Sequence, residues 1–154
     1  MRTIATLALA VLIGIPFIAL ADDDQPKLSC TTDMTYSKEF LAKFPKAPAA
    51  CNGVTEMKGE HWALFNAEVK KKEGNHLTVT FMDKQEQPVS TMTFSFDPEA
   101  QVVTEDDEPK LASKLDEGDK IKVWMPESRI GLYAKPGASD SKHFALVGTG
   151  STKE

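Results

Sequence analysis

Apolar and polar residues alternate along much of the chain after Trp62, which is the pattern of β-strands that bury one face. Many of these positions hold β-branched or aromatic residues, which suit a pleated and half-buried surface. The residues that we predict to face the core, stretch by stretch, are Ala63, Phe65, Ala67 and Val69; Leu77, Val79 and Phe81; Met92, Phe94 and Phe96; and Ile121, Val123 and Met125. The sequence therefore predicts a mainly β domain.

Turns separate the strands at short intervals, which is typical of small barrels and sandwiches. The predicted turns lie at 70–75, 83–88 and 117–119, and short apolar pieces at 102–104, 131–134 and 144–147 add further strands. A parallel α/β sheet is disfavoured because helical and strand patterns do not alternate along the chain. We predict a small barrel of the oligonucleotide/oligosaccharide-binding (OB) or SH3-like type, and a β-sandwich is the alternative.

A short helical segment precedes the strands. Phe40, Leu41 and Phe44 share one helical face, Ser37 is placed to cap the first turn, and Pro45 ends the helix. A second turn of helix is expected to end near residues 52–53. We expect the aromatic face of this segment to cover one end of the sheet.

The first residues have the pattern of a secretory leader. A short positive start precedes the apolar run 4–20, and the small residues Ala19 and Ala21 fit the site of signal peptidase. We predict a signal peptide at 1–21, with an uncleaved membrane anchor as the alternative. After cleavage no stable anchor remains, and the product is expected to be periplasmic or secreted. The predicted organisation is a flexible segment at 22–36, a barrel domain with its helical lead-in at 37–147, and a disordered tail at 148–154.

Export changes how the cysteines are interpreted. Cys30 and Cys51 are the only cysteines, and in an oxidising compartment a single pair predicts a disulfide. A disulfide that closes a loop of this size should stabilise the fold by roughly 3 kcal/mol. The alternatives, a redox or metal pair, lack a C-x-x-C spacing, a second cysteine pair and a neighbouring histidine.

Charge excludes one class of function. The chain carries 18 Lys and Arg residues against 23 Asp and Glu residues, and loss of the leader would remove Arg2 as well. General attraction to phosphates needs a basic surface, so we predict no nucleic-acid partner.

One segment carries a family resemblance. After Val102-Val103-Thr104 and a charged turn, residues 115–123 read L-x-x-G-D-x-I-x-V. This unit is similar to one found in small exported bacterial β-barrel proteins, many of them of unknown function. The resemblance covers this part of the chain alone, and it implies a fold and an exported location without implying a catalytic residue.

No motif for catalysis, metal binding or cofactor binding is present. His61, His76 and His143 are far apart in the sequence, and the chain has no calcium loop, P-loop, dinucleotide fingerprint or nucleophile elbow. We therefore predict no catalytic residues, no metal and no cofactor.

One stretch favours binding. Arg129 is the only arginine after the leader, and Trp124 and Tyr133 flank it in a segment that contains Pro and Gly. Arginine and aromatic residues dominate binding hot spots, so we predict that these three residues converge on one exposed rim. In the alternative, Arg129 pairs with Glu127 or a carboxylate of a neighbouring strand, and Trp124 fills the barrel end. Trp62 is the other aromatic of interest.

Two classes of function fit these observations. The first is an exported binding or interaction module of the cell envelope, whose partner is a protein, a glycan or a small ligand. The second is a small hydrolase or an enzyme inhibitor, for which the sequence provides no recognisable catalytic motif. A groove at the predicted rim would favour the first class, and a histidine beside a carboxylate and a nucleophile would favour the second.

Overall fold

The computed structural model describes residues 27–133 and the backbone of 144–146. The predicted leader and the predicted tail lie outside these residues. From the N-terminus the elements are α1 (Lys38–Lys43), α2 (Ala47–Ala50), β1 (Cys51–Met57), β2 (Glu60–Glu73), β3 (His76–Met82), β4 (Pro88–Phe96), β5 (Gln101–Thr104), β6 (Pro109–Leu111), a 3₁₀ turn (Ala112–Lys114), β7 (Lys120–Pro126) and β8 (Phe144–Leu146).

The strands form one antiparallel sheet. Its order is β6-β5-β7-β2-β3-β4-β8, and β1 pairs with the first half of β2. β2 is central because β1 and then β3 pair along one of its edges while β7 pairs along the other. The mainly β class is thus confirmed. Within the described residues β6 and β8 do not pair with each other, so closure into a barrel stays a prediction.

The predicted inward-facing residues form the core. All those named in β2, β3, β4 and β7 are buried, and the residues between them are mostly half-buried or exposed. Aromatic contacts run across the sheet: the ring centroids of Phe65 and Phe81 lie 6.0 Å apart, and those of Phe81 and Phe94 lie 6.3 Å apart. Period-two alternation therefore identified the core correctly, because the side-chain direction in a strand is fixed by the pleat.

α1 covers one end of this core, as predicted. The Ser37 hydroxyl caps the helix by accepting a hydrogen bond of 3.0 Å from the backbone N–H of Phe40. Phe40 and Phe44 are buried, and the Phe44 ring lies 5.3 Å from that of Phe65 and 5.0 Å from that of Phe81. The helix thereby joins the same aromatic cluster as the strands.

The hairpin of β1 and β2 is the largest element that the sequence pattern missed. β1 follows α2 directly, and Lys58 and Gly59, both with positive φ, turn the chain into β2. β2 also continues through the lysine run that predicted a turn. The last of these lysines, Lys72, donates hydrogen bonds from its Nζ to the carbonyls of Ser113 and Leu115, 2.8 and 2.7 Å away.

The predicted disulfide is present. Cys30 and Cys51 are bonded, with their Cα atoms 5.9 Å apart, and both are buried. Cys51 begins β1, so the bond ties the N-terminal segment to the sheet. Within the segment 22–36, which we predicted to be flexible, Cys30 and Met34 are buried and belong to the core.

The described helices are short. None of them has the length and hydropathy that a bilayer crossing requires.

Candidate binding site at the rim

The candidate site lies where the β1–β2 turn, the end of β7 and the start of α1 meet. Backbone hydrogen bonds hold these pieces together: the N–H of Glu127 donates to the carbonyl of His61 over 3.2 Å, and the N–H of Ser37 donates to the carbonyl of Glu127 over 3.1 Å. Further along, the N–H of Trp124 donates to the carbonyl of Tyr133 over 3.1 Å. The segment 127–133 is thus a loop held at both ends by a rigid scaffold, which is a common setting for binding residues.

Arg129 is exposed on this loop. Its side chain is 57% accessible, and its guanidinium carbon lies 5.8 Å from the centre of the Tyr133 ring. This is the geometry of a cation–π contact. Among the described residues the nearest carboxylate oxygen is that of Glu60, 3.8 Å from Arg129 Nη2. That separation is longer than a hydrogen bond, so the pair is a loose surface ion pair that leaves donors of the guanidinium available.

Trp124 does not lie on the exposed rim. It is only 5% accessible, although it shares a face of the sheet with Trp62: Leu64, two residues after Trp62, pairs with Trp124, and Trp124 in turn pairs with Tyr133. The indole beside Tyr133 at the rim belongs to Trp62, whose ring lies 5.5 Å from the Tyr133 ring in an edge-to-face arrangement. The rim is therefore formed by Glu60, Trp62, Arg129 and Tyr133, and it brings together two of the three residues predicted.

Glu127 is not the partner of Arg129. Its Oε1 lies 2.7 Å from His61 Nδ1, and Nε2 of the same histidine lies 3.9 Å from Glu56 Oε2. Burial raises the pKa of the Tyr36 hydroxyl to about 12, and the negative charge of Glu127 adds to this shift. Glu127 therefore pairs with His61 and helps to hold the loop in place. Arg129 instead faces a carboxylate of a neighbouring strand, Glu60 at the start of β2, as in the alternative that the sequence left open.

Among residues 27–133 no nucleophile is hydrogen-bonded to His61. Its ring nitrogens face the carboxylates of Glu56 and Glu127, and the hydroxyl of the nearby Ser128 donates instead to Glu60 Oε1 over 3.4 Å. A serine hydrolase needs a hydrogen bond between its serine and its histidine. This cluster therefore gives the hydrolase alternative no support.

A groove lies between α1 and the rim loop. Its volume is about 260 Å³, and we call it the α1 groove. It is lined by Glu39, Phe40, Lys43, Ser128, Arg129 and Ile130. Lys43 forms no ion pair within the described residues, so this groove holds two cations of which neither is tightly paired. Sequence spacing gave no signal for Lys43 or Glu60, because each reaches the site through tertiary packing.

A second groove lies on the outer side of β2 and β7. Here Lys120 Nζ lies 3.3 Å from Glu86 and 3.7 Å from Glu105, and Lys122 Nζ lies 2.8 Å from Asp107. We call these five residues the β7 face. Hydrogen bonding to Glu86 and the charge of Glu105 raise the pKa of Lys120. The lysines of the β7 face therefore form ion pairs with carboxylates of the same chain.

Among residues 27–133 no three histidine, cysteine or acidic side chains are placed to hold a metal ion. Comparison of the chain with protein-family models, curated proteins and solved structures finds no match. The function must therefore be argued from the site itself.

Proposed function

We propose that this protein is an exported binding module of the cell envelope and that its rim is the surface that contacts the partner. The observation that carries the proposal is the state of Arg129. Its guanidinium is exposed, rests on the Tyr133 ring and has only a loose contact with Glu60. A guanidinium that is held against an aromatic ring, and that forms no close ion pair with a carboxylate, can donate hydrogen bonds to a ligand.

The neighbouring residues support the same interpretation. Trp62 and Tyr133 pack edge to face, so the ring beneath Arg129 is itself held in place. Aromatic residues and arginine at a fixed position lose little conformational entropy on binding, which is one reason why they dominate interface energetics. The rim thus combines a rigid apolar platform with a charged group.

Two observations support the location. The disulfide between Cys30 and Cys51 is consistent with an oxidising environment. The apolar run at 4–20 with small residues at Ala19 and Ala21 is the pattern of a cleaved leader. Mass spectrometry of the protein recovered from the envelope should find a chain that begins at Asp22, whereas a product that retains the leader in the membrane fraction would contradict export by cleavage.

The proposal is tested by comparing what the immobilised protein and its Arg129→Ala variant retain from a cell-envelope extract. A Lys70→Ala variant is the control, because Lys70 is exposed and pairs with Glu68 on the sheet, away from the rim. We expect at least one component that the wild-type and control proteins retain and the Arg129→Ala protein loses. Identical retention by all three proteins would contradict a role of the rim in binding.

A further inference from the structure

We infer that the partner presents an acidic protein segment to the α1 groove, where Lys43 on one wall and Arg129 on the other bind its carboxylates. This inference rests on the proposed function, since Arg129 belongs to both the groove and the rim. Lys43 is the addition: it lies in the last turn of α1, and no motif in the sequence draws attention to it.

The two cations of the α1 groove lack close carboxylate partners among the described residues. On the sheet, Lys70, Lys110 and Lys122 have carboxylate oxygens within 2.6–2.8 Å. In the α1 groove, Arg129 has one contact at 3.8 Å, and Lys43 has no ion pair among the described residues. Among the described residues of the lining, the cations Lys43 and Arg129 outnumber the one carboxylate, that of Glu39, while Glu60 stands beside Arg129 outside the lining. Carboxylates are the groups that these cations attract.

The shape of the groove also favours an extended ligand. Its volume is about 260 Å³, and its two cations belong to separate elements, a helix and a loop. Ile130 is half-buried and adds a small apolar contact, whereas Phe40 is buried in the core. An extended segment with several acidic side chains can present a carboxylate to each wall, whereas a compact anion such as phosphate presents a single charged group.

A ligand carboxylate can replace Glu60 as the partner of Arg129. An exposed ion pair is typically worth about 0–1 kcal/mol, and the one with Glu60 is long. A partner carboxylate that accepts two parallel hydrogen bonds from the guanidinium would be a stronger partner than Glu60 is. Since Ser128 donates to the other oxygen of Glu60, that carboxylate keeps a hydrogen bond when Arg129 turns to the ligand.

Fluorescence anisotropy tests the inference, with fluorescein-labelled peptides as probes. One peptide alternates Glu with Leu and Ser, and its matched control has Gln in place of every Glu. We expect the purified protein to bind the Glu peptide at least about tenfold more tightly, a factor equivalent to about 1.4 kcal/mol. Sodium phosphate should compete no better than sodium chloride of equal ionic strength.

Substitutions locate the binding. Lys43→Gln and Arg129→Gln should each weaken binding of the Glu peptide about fivefold to tenfold, a range typical of a lost charge-assisted contact. Lys46→Gln is the matched control, because Lys46 is exposed, lies three residues from Lys43 in the sequence and does not line the groove. It should bind like the wild-type protein. Thermal unfolding of all variants verifies that each one is folded.

The outcomes separate this inference from the proposed function. Equal binding of the Glu and Gln peptides, equal loss in the Lys46→Gln control, or effective competition by phosphate would overturn the acidic-segment inference. If, in that case, envelope components still depended on Arg129, the rim would remain the binding surface for a partner of different chemistry. If no retained component depended on Arg129 either, both proposals would fail.

Discussion

The rim and the β7 face both place cations beside carboxylates, yet they differ in how completely the charges are paired. On the β7 face, Lys120 and Lys122 meet carboxylates at 3.3 and 2.8 Å. At the rim, Arg129 Nη2 lies 3.8 Å from Glu60, and in the adjoining α1 groove Lys43 forms no ion pair among the described residues. Paired surface charges contribute modestly to stability, while unpaired ones remain available to a partner. We therefore propose that the rim contacts a partner, whereas the charges of the β7 face bind one another.

The largest effect should come from the core beneath α1, which neither charged region touches. Phe44→Ala removes a buried ring that contacts Phe65 and Phe81, and it should lower the free energy of unfolding by about 3–5 kcal/mol. Urea denaturation measures this loss. A change below about 1 kcal/mol would mean that α1 is not part of the cooperative core.

The disulfide should rank next. Replacing Cys30 and Cys51 together by serine should lower the free energy of unfolding by roughly 3 kcal/mol, because the unfolded chain loses its cross-link. Reduction of the wild-type protein should produce a similar loss, and a reducing agent should leave the double variant unchanged. Equal stability of the oxidised protein and the variant would show that the cross-link does not stabilise this fold.

Tyr36 provides a pH-dependent test of the rim's support. Its folded pKa of about 12 exceeds the ordinary value of 10.0, so the unfolded chain releases the phenolic proton first. The free energy of unfolding should therefore fall as the pH rises from 10 toward 12. Tyr36→Phe should reduce that fall and should cost little stability at pH 7, because the buried hydroxyl has no hydrogen-bond partner among the described residues. Chemical denaturation at pH 8 and pH 11 measures both effects, and an unchanged alkaline slope would contradict the assignment.

The smallest effects on stability should come from the charged residues themselves. Lys122→Ala and Arg129→Ala should each change the free energy of unfolding by less than about 1 kcal/mol, because both side chains are at the surface. Only the second should weaken partner retention. A loss of several kcal/mol in Arg129→Ala would make this arginine a structural residue.

The sequence predicted the local parts of this fold and missed those that depend on tertiary contacts. The alternation around Phe65 and Phe94 identified the core because it follows from the pleat alone. The sequence did not predict β1, because the residues from Gly53 to Lys58 show no clear alternation of apolar and polar side chains. This strand is formed through its pairing with β2. Strand formation depends strongly on such neighbours.

The site shows the same division. Arg129 and Tyr133 are close in sequence, and the structure brings them together. Trp124 shares a face of the sheet with Trp62, as the register between β2 and β7 shows, but it is buried, and a strand pattern does not reveal which residues of the outer face are covered by the rest of the chain. Glu60 lies beside Arg129 at the start of β2, and Lys43 lines the α1 groove from the helix; no sequence pattern linked either of them to Arg129.

The most direct test of the contrast between the rim and the β7 face is a two-dimensional NMR titration of the ¹⁵N-labelled protein with the Glu-containing peptide. We expect saturable shifts of backbone amides in α1 and in the loop 127–133, and no shift of the amides of Lys120 and Lys122. Shifts centred on the β7 lysines, or no saturable shifts at the rim, would contradict this contrast.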